Sequence, residues 1–348
     1  SLAAAAEPLL ASLNADALLA KQAHRRMETS FSSWGSAVLL ERSAIATLNG
    51  LGTVVDRVAF ENDLEGLATE ADIRVVRGSL ENFTYGDAGW DLLTSGGEGL
   101  RASFLVDATG RRALIGRRME VMRREDRLVA AYAFLPHVDP EVEPTHATLI
   151  EAVEDGWWYA TLLNDGRLAV NYYSDPDLMP RGLTQSPEAW RRLIGQSRYI
   201  SKWIETGGFS AEEAPSLASA GTPWLEKAAG QGWIAVGDAA AAFDPLSAHG
   251  MTTALWSGIQ AAAAADACIR GETGALDAYS ARVNKGIVTF LEDRRRMYGR
   301  EVRFSNRLFW KRRAESTSFV KVSGKTTVED PFGGTTKSKS ELSKHSFA

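Results

Sequence analysis

Residues 232–258, GWIAVGDAAAAFDPLSAHGMTTALWSG, constrain the fold more than any other stretch of the chain. The apolar run 233–236 reads as a buried strand, and it stops at Gly237 and Asp238. Glycine lets the backbone turn sharply there. One carboxylate is thereby presented at the carboxyl edge of a sheet, where open α/β folds bind ligands. A carboxylate in that position accepts hydrogen bonds from the hydroxyls of a sugar or ribityl chain. Pro245 stiffens the following loop, and Gly250 allows close approach of the backbone to a flat ligand. The helix expected from Met251 onward would aim its first N–H groups at that ligand, an arrangement that favours negative charge. The competing reading of the same residues is a buried strand and an alanine-rich core helix, with Asp238 merely capping.

The chain has 348 residues, enough for two modest domains or one large mixed one. Its 45% hydrophobic and 24% charged content is an ordinary globular balance. A net charge of −5 argues against general binding to nucleic acid or anionic membranes. No apolar run approaches the roughly 20 residues of a membrane span. The opening SLAAAAEPLLASLNADALLA lacks the basic start of a signal peptide, so a cytoplasmic location is expected. The single Cys268 excludes an intrachain disulfide and reads as a small core residue on a helix. No metal site is expected, and His137 and His146 have no partners that suggest a site.

Along the chain, 1–23 reads as helix broken at Pro8, and 32–55 as strands and turns. The segment 56–71 is an amphipathic helix with Val58, Leu64 and Leu67 assigned to its core face. A three-stranded meander with turns at 86–89 and 96–99 leads into a buried strand at 104–106. Strand-like pieces fill 119–175, a polar helix is expected near 186–206, and the quoted helix should run to about Arg270. Residues 273–313 read as an arginine-rich helical segment, and 314–348, rich in Ser, Thr, Lys and Gly, as a disordered tail. Strand–helix elements around a long antiparallel block predict an α/β fold. The nucleotide-binding domain would be 1–23, 55–118 and 224–272, interrupted by an antiparallel β-sheet substrate domain at 24–54 and 119–223.

WIAVGDAAAAFDPLSAHGM closely resembles the second flavin-binding motif of FAD-dependent monooxygenases of the p-hydroxybenzoate hydroxylase fold. FLVDATGRRA (104–113) resembles their companion strand motif, and GTVVDRVAFENDL (52–64) their Asp-Arg segment opening a helix beside the cofactor. The resemblance covers most of 1–290. It implies a Rossmann-like FAD-binding domain of the glutathione reductase-2 type. Asp238, with Gly237, would then bind the ribityl chain or pyrophosphate side of FAD, and Pro245 would lie against the isoalloxazine. The N–H groups of Gly250 and Met251 would face the flavin O2 and N1. Arg57 is either a further contact or an exposed helix-start arginine, and Asp107 and Gly110 shape the strand end. His249, beside the flavin edge, relays protons or packs the loop, and Ser247 contacts the flavin or ends the loop. The family opens with a βαβ unit carrying G-x-G-x-x-G, and no such motif occurs here. A trimmed front is expected, with a degenerate member as the alternative.

EDGWWYATLLNDGRLAVNYYSD (154–175) is similar to a GWW element of flavin-dependent tryptophan halogenases and of the maturation flavoproteins of tryptophylquinone enzymes. Trp157 and Trp158 alternate across a strand, so one should face the core and the other a substrate cavity or solvent. The plainer reading is two β-favouring aromatics. RRRMYGREVRFSNRLFWKRR (294–313) resembles the C-terminal helix of the maturation flavoproteins; its basic face would be a partner-docking surface or an ordinary solvated one. No lysine matches a halogenase motif. The implied function is hydroxylation of an electron-rich aromatic ring through a flavin C4a-hydroperoxide. The substrate would be an aromatic small molecule or a tryptophan-bearing polypeptide, and the electrons would come from NAD(P)H or a separate flavin reductase. The alternatives are a flavin-dependent tryptophan or indole halogenase and a non-catalytic flavoprotein-like binding module.

Overall fold

Largely apolar runs, buried on both faces in the central strands, build a seven-stranded sheet in a computed structural model that describes residues 1–44 and 50–315. From one edge to the other its order is Ser216–Ser219, Val129–Leu135, Leu168–Ser174, Gly156–Leu162, Ala147–Val153, Thr29–Ser33 and Leu40–Ser43. The sheet is mixed, where the sequence suggested a purely antiparallel one: Thr29–Ser33 runs parallel to Ala147–Val153. A parallel neighbour needs a long crossover connection, and the chain between these two strands supplies it.

The two faces bury different cores. On one, Leu149, Trp158, Ala160, Leu162, Leu168 and Val170 pack under the helices Pro187–Ile194 and Tyr199–Thr206, which replace the single polar helix expected there. The Glu151 carboxylate fastens the second helix, accepting the N–H groups of Arg198, Tyr199 and Ile200 at 2.7–2.9 Å. On the other face, Ala130, Ala152, Trp157 and Tyr173 lie under Tyr298, Phe309 and Trp310 from the C-terminal helices.

The α/β part is smaller. Leu105–Asp107 pairs in parallel with Trp233–Ala235 beneath the helices Gly250–Ile269, which contributes Ala261 and Ala264 to this core, and Ala275–Gly299, which contributes Tyr279, Val283 and Ile287. The small side chains of the first helix let its backbone approach the strands closely. The meander Leu80–Gly86, Gly89–Thr94, Gly99–Ala102 follows the expected turns. Asp56 caps the helix Arg57–Glu70 by accepting the Ala59 N–H at 3.0 Å. Val58 is 71% exposed, contrary to expectation, and Phe60 takes the core position with Leu64 and Leu67 beside it. Two residues turn a helix by about 200°, so Val58 cannot share the face of Phe60. Pro8 does not break a helix but lies in the first turn of Glu7–Ser12. Cys268 is half-buried. The expected tail falls outside the described residues from 316 onward; Ala314 and Glu315 are helical.

Several arginines of the C-terminal segment are drawn into ion pairs with the sheet, while Arg296, Arg300 and Lys311 stay exposed. Arg313, 2% exposed, donates to Asp175 Oδ1 at 2.8 Å, while Arg312 donates to Asp175 at 2.9 Å and to Asp177 at 2.7 Å. Arg307 reaches Asp155 at 3.1 Å, and the Trp310 indole N–H is shared by the carbonyls of Val153 and Glu154. The final helix, Leu308–Glu315, is thus clamped to the turn before Gly156 and to the end of the strand Leu168–Ser174.

Burial raises the Asp175 pKa, but Arg313 and Arg312 outweigh it and hold the carboxyl below its ordinary range. A depressed folded-state pKa means this stabilisation is complete above the unfolded carboxylate pKa and disappears as pH falls through the folded one. Asp175→Asn should cost about 3–5 kcal/mol by leaving Arg313 buried without its counter-charge. Denaturant titrations at neutral and acid pH check this; a variant as stable as the parent at pH 7 would contradict it.

Candidate functional site

Trp233, Ile234 and Ala235 are buried, and the Val236 N–H donates to the Asp107 carbonyl at 3.0 Å, closing the parallel pair. Gly237 then turns with φ +53° and donates its N–H to Ser257 Oγ at 2.8 Å, fixing the turn against the helix Gly250–Ile269. A Cβ at Gly237 would press on Ala254 as well as adopt a strained backbone. Asp238 follows, its side chain 35% exposed and its Oδ2 3.4 Å from Arg111 Nε. Burial raises the Asp238 pKa, opposed by the charges of Arg111 and then Arg57. The Arg57 guanidinium itself is 75% exposed and paired with Glu61 at 2.5 Å, so it acts on Asp238 through its field.

Asp107 shapes the neighbouring strand end, as the sequence reading had it. One oxygen accepts the N–H and hydroxyl of Thr109, the other the N–H groups of Ile115 and Gly116. Gly110, with φ +63°, makes the turn between them. Arg111 also donates to the carbonyls of Gly221 and Phe243, so it joins the two motif strands to the sheet domain.

The loop after Ala242 is held by a residue that sequence reasoning passed over. Asp244, 1% exposed, accepts the Leu246 N–H on Oδ1 at 3.0 Å and so caps the turn Pro245–Ser247. Its Oδ2 accepts from Arg294 Nε at 3.0 Å and from the Tyr298 hydroxyl at 2.8 Å. Tyr298 in turn accepts the Trp157 indole N–H at 3.0 Å. Burial, and next the Asp244 charge, push the Tyr298 pKa well above its ordinary value, so it stays a donor. Burial works against the Arg294 charge, but Asp244 and Asp126 outweigh it and its pKa rises. The 294/298 spacing, one helical turn, was the available signal for this pair.

Beyond Pro245, Ala248 takes a left-handed φ of +53°, and exposed His249 precedes the first turn of the helix. The first N–H groups of any helix have no partner within it. Space over Gly250 is open, since a Cβ there would meet nothing within 4 Å. Met251 packs its side chain toward Leu2, Leu10 and Phe60, and the Thr252 hydroxyl is buried without a hydrogen-bond partner. The structure therefore brings Gly237, Asp238, Pro245, His249, Gly250 and Met251 onto one loop–helix unit, with Arg57 within electrostatic range.

The two tryptophans separate, and only Trp157 is tied to this loop, through Tyr298 and Asp244. Trp157 and Trp158 are 1% and 0% exposed, and neither faces solvent. Trp157 stacks on Tyr173 at 4.0 Å and is locked to Tyr298, whereas Trp158 lies on the opposite face against Tyr172 and Trp190. Both faces of this strand are covered by helices, so strand alternation separates two cores and not a core from a cavity. Among the described residues no cluster of three or more His, Cys, Asp or Glu could hold a metal ion, and no helix is long and apolar enough to cross a membrane.

An FAD is implied by the sequence resemblance, and the residues fit its flavin and ribityl half. A part-exposed carboxylate terminates the strand, open space lies over Gly250, the helix begins with unpaired N–H groups, and the Thr252 hydroxyl lacks a partner.

No protein-family model matches the chain. In sequence it is 26% identical, over 288 residues, to the putative FAD-dependent oxidoreductase LodB of Marinomonas mediterranea, covering 81% of this chain and 76% of that protein. In structure it is similar to the peptidyl tryptophan dihydroxylase QhpG, essential for tryptophylquinone cofactor biogenesis, with 25% identity and a TM-score of 0.75 over 90% of this chain and 69% of that one. It is also similar to the myxobacterial chondrochloren halogenase CndH, with 18% identity and a TM-score of 0.79 over 90% and 76% of the two chains. These relatives bear out the branch indicated by the motifs: the chain has the mixed α/β fold of FAD-dependent monooxygenases and halogenases.

Proposed function

We propose that this chain is an FAD-dependent monooxygenase hydroxylating an electron-rich aromatic ring, specifically a tryptophan side chain of a partner polypeptide. The observation that carries the reading is the pairing of the Asp238 carboxylate with the open helix start at Gly250, at the carboxyl end of a parallel strand pair. Asp238 accepts hydrogen bonds from the ribityl hydroxyls. The N–H groups of Gly250 and Met251 stabilise negative charge on the pyrimidine edge of the reduced ring. Pro245 lies against the ring, and Asp244, gripped by Arg294 and Tyr298, holds Pro245 in place. FAD, once reduced by NAD(P)H or a separate flavin reductase, supplies the activation of dioxygen for oxygen transfer. His249 precedes the first turn of the helix, and in this reading it moves a proton at the flavin edge. Likeness to the tryptophan dihydroxylase supports an aromatic residue of a polypeptide as substrate. The strong structural likeness to a halogenase favours a second reading, halogenation of an aromatic ring.

Incubation with a flavin reductase, NADH, FAD, halide and a tryptophan-containing peptide separates the two. The mass of one or two added oxygen atoms supports hydroxylation, and a chlorinated or brominated product sinks it. Asp238→Ala should weaken FAD binding about tenfold or more, equivalent to about 1.4 kcal/mol; flavin absorbance after gel filtration reads it, and unchanged retention would remove Asp238 from the site. Tyr298→Phe strands the Trp157 indole N–H and takes a donor from Asp244. A loss of about 1–3 kcal/mol is expected in denaturant unfolding, and an unaltered midpoint would show that the network does not hold the loop.

A further inference from the structure

A second basic feature lies where the two parts of the fold meet. A cavity of about 470 Å³ is bordered by Arg111, Arg112, Arg117, Arg124 and Arg127, with Asp126 the one acidic residue on its wall. Asp126 is already committed to Arg294. Arg111 faces Asp238, and Arg117 donates to the Arg111 carbonyl, but Arg112, Arg124 and Arg127 are exposed and have no acidic partner among the described residues. The neighbouring cavity, of about 510 Å³, shares Asp126 and Arg127 with this one and adds Glu125; there Arg294, Arg312 and Arg313 are matched by Asp126, Asp175 and Asp177. On a chain of net charge −5, three unmatched guanidinium groups around one hollow are a local reversal of sign. Guanidinium forks suit carboxylates bidentately.

The same hollow reaches Val129 and Ser219, which pair with each other at the end of the strand Ser216–Ser219. That strand is one of the two edges of the seven-stranded sheet, and all four of its residues are exposed. It carries no charge, no proline and no covering helix, the devices that ordinarily protect an edge. Ala220 donates its N–H to the Leu128 carbonyl, so the alternation of the antiparallel ladder turns the N–H and C=O of Leu217 and Ser219 outward. An unprotected edge adds an extended strand from another chain.

We propose that an acidic polypeptide segment docks here, adding as a strand to the outer side of Ser216–Ser219 and placing its carboxylates among Arg112, Arg124 and Arg127. This deepens the reading of a polypeptide substrate and rests on it only for the identity of the partner. The docking site adjoins Arg111, which touches Asp238, so a partner held there enters beside the proposed flavin site. The contact accounts for the partner docking that the resemblance implied, in a different place from the C-terminal helix.

The probe is a fluorescein-labelled peptide of alternating glutamate and threonine, followed by anisotropy at low and moderate salt with the full chain. Binding should weaken at least tenfold in the Arg112→Glu, Arg124→Glu, Arg127→Glu triple variant, weaken similarly in Leu217→Pro, and fall with added salt. Leu217→Pro removes only an outward N–H and is tolerated on an edge strand; circular dichroism confirms that both variants are folded. Undiminished binding by the triple variant, equal binding of a lysine–threonine peptide, or displacement by inorganic phosphate or polyuridylate at matched charge would overturn the proposal. No flavin is needed for this assay, and FAD retention by the triple variant is read separately. Loss of docking with retained FAD therefore cannot be confused with failure of the flavin reading.

Discussion

The Asp244 carboxylate is the contact on which the arrangement of the molecule turns. It is buried, and its two oxygens are divided between the turn at Pro245 and the helix Ala275–Gly299. Through Tyr298 it extends to Trp157 in the middle of the large sheet. One side chain therefore joins the loop at the proposed flavin site, the helix Ala275–Gly299 and the seven-stranded sheet. A buried carboxylate is tolerated only when its charge is matched and its lone pairs are used. Arg294 supplies the charge, and Tyr298 and the Leu246 N–H supply the remaining bonds. The loop cannot move independently of the helix without exposing an unpaired charge to an apolar interior.

The same logic explains why so many arginines lie at the C-terminus. Arg294 and Arg313 are inside the protein, each facing an aspartate of another segment, and Arg303 pairs with the buried Glu301. Aromatic side chains fill the space between these pairs: Trp34, Trp157, Tyr298 and Trp310 meet mostly edge to face at 5.2–6.2 Å. The C-terminal helices are thus a lid over one face of the sheet, fixed by directional bonds at its corners and by apolar contact in its middle. Directional bonds fix orientation where hydrophobic burial alone would permit sliding.

Much of the architecture was legible in the sequence because the decisive signals were local. The strand at 233–235, its Gly237 turn and the helix starting at Gly250 stand where glycine, proline and apolar spacing put them. Asp56 as a helix cap and the glycine turns of the meander follow from residue chemistry over three or four positions. What escaped was long-range. Charge runs carry no mark of whether their partners lie in solvent or 138 residues away, as Asp175 lies from Arg313. Alternation told correctly that Trp157 and Trp158 face opposite ways, yet not that both sides of that strand are roofed by helices. Asp244 stood in full view beside Pro245, but its neighbours Arg294 and Tyr298 are fifty or more residues downstream. The motif itself was visible; the structure that supports it was not.

The distribution of arginine partners gives the surface a direction. Where the protein supplies the counter-charge, as at Arg294, Arg312 and Arg313, the groups serve internal cohesion. Where it does not, at Arg112, Arg124 and Arg127, three guanidinium groups remain solvated around a hollow at an open sheet edge. Solvated like charges close together repel, so the isolated protein gains nothing from their proximity. Evolution could have separated them or matched them as it matched the adjacent cavity. Their grouping at the junction between Arg111 and the edge strand has a physical rationale when an external anion completes the set, and the adjoining backbone supplies the geometry for a polypeptide to carry it.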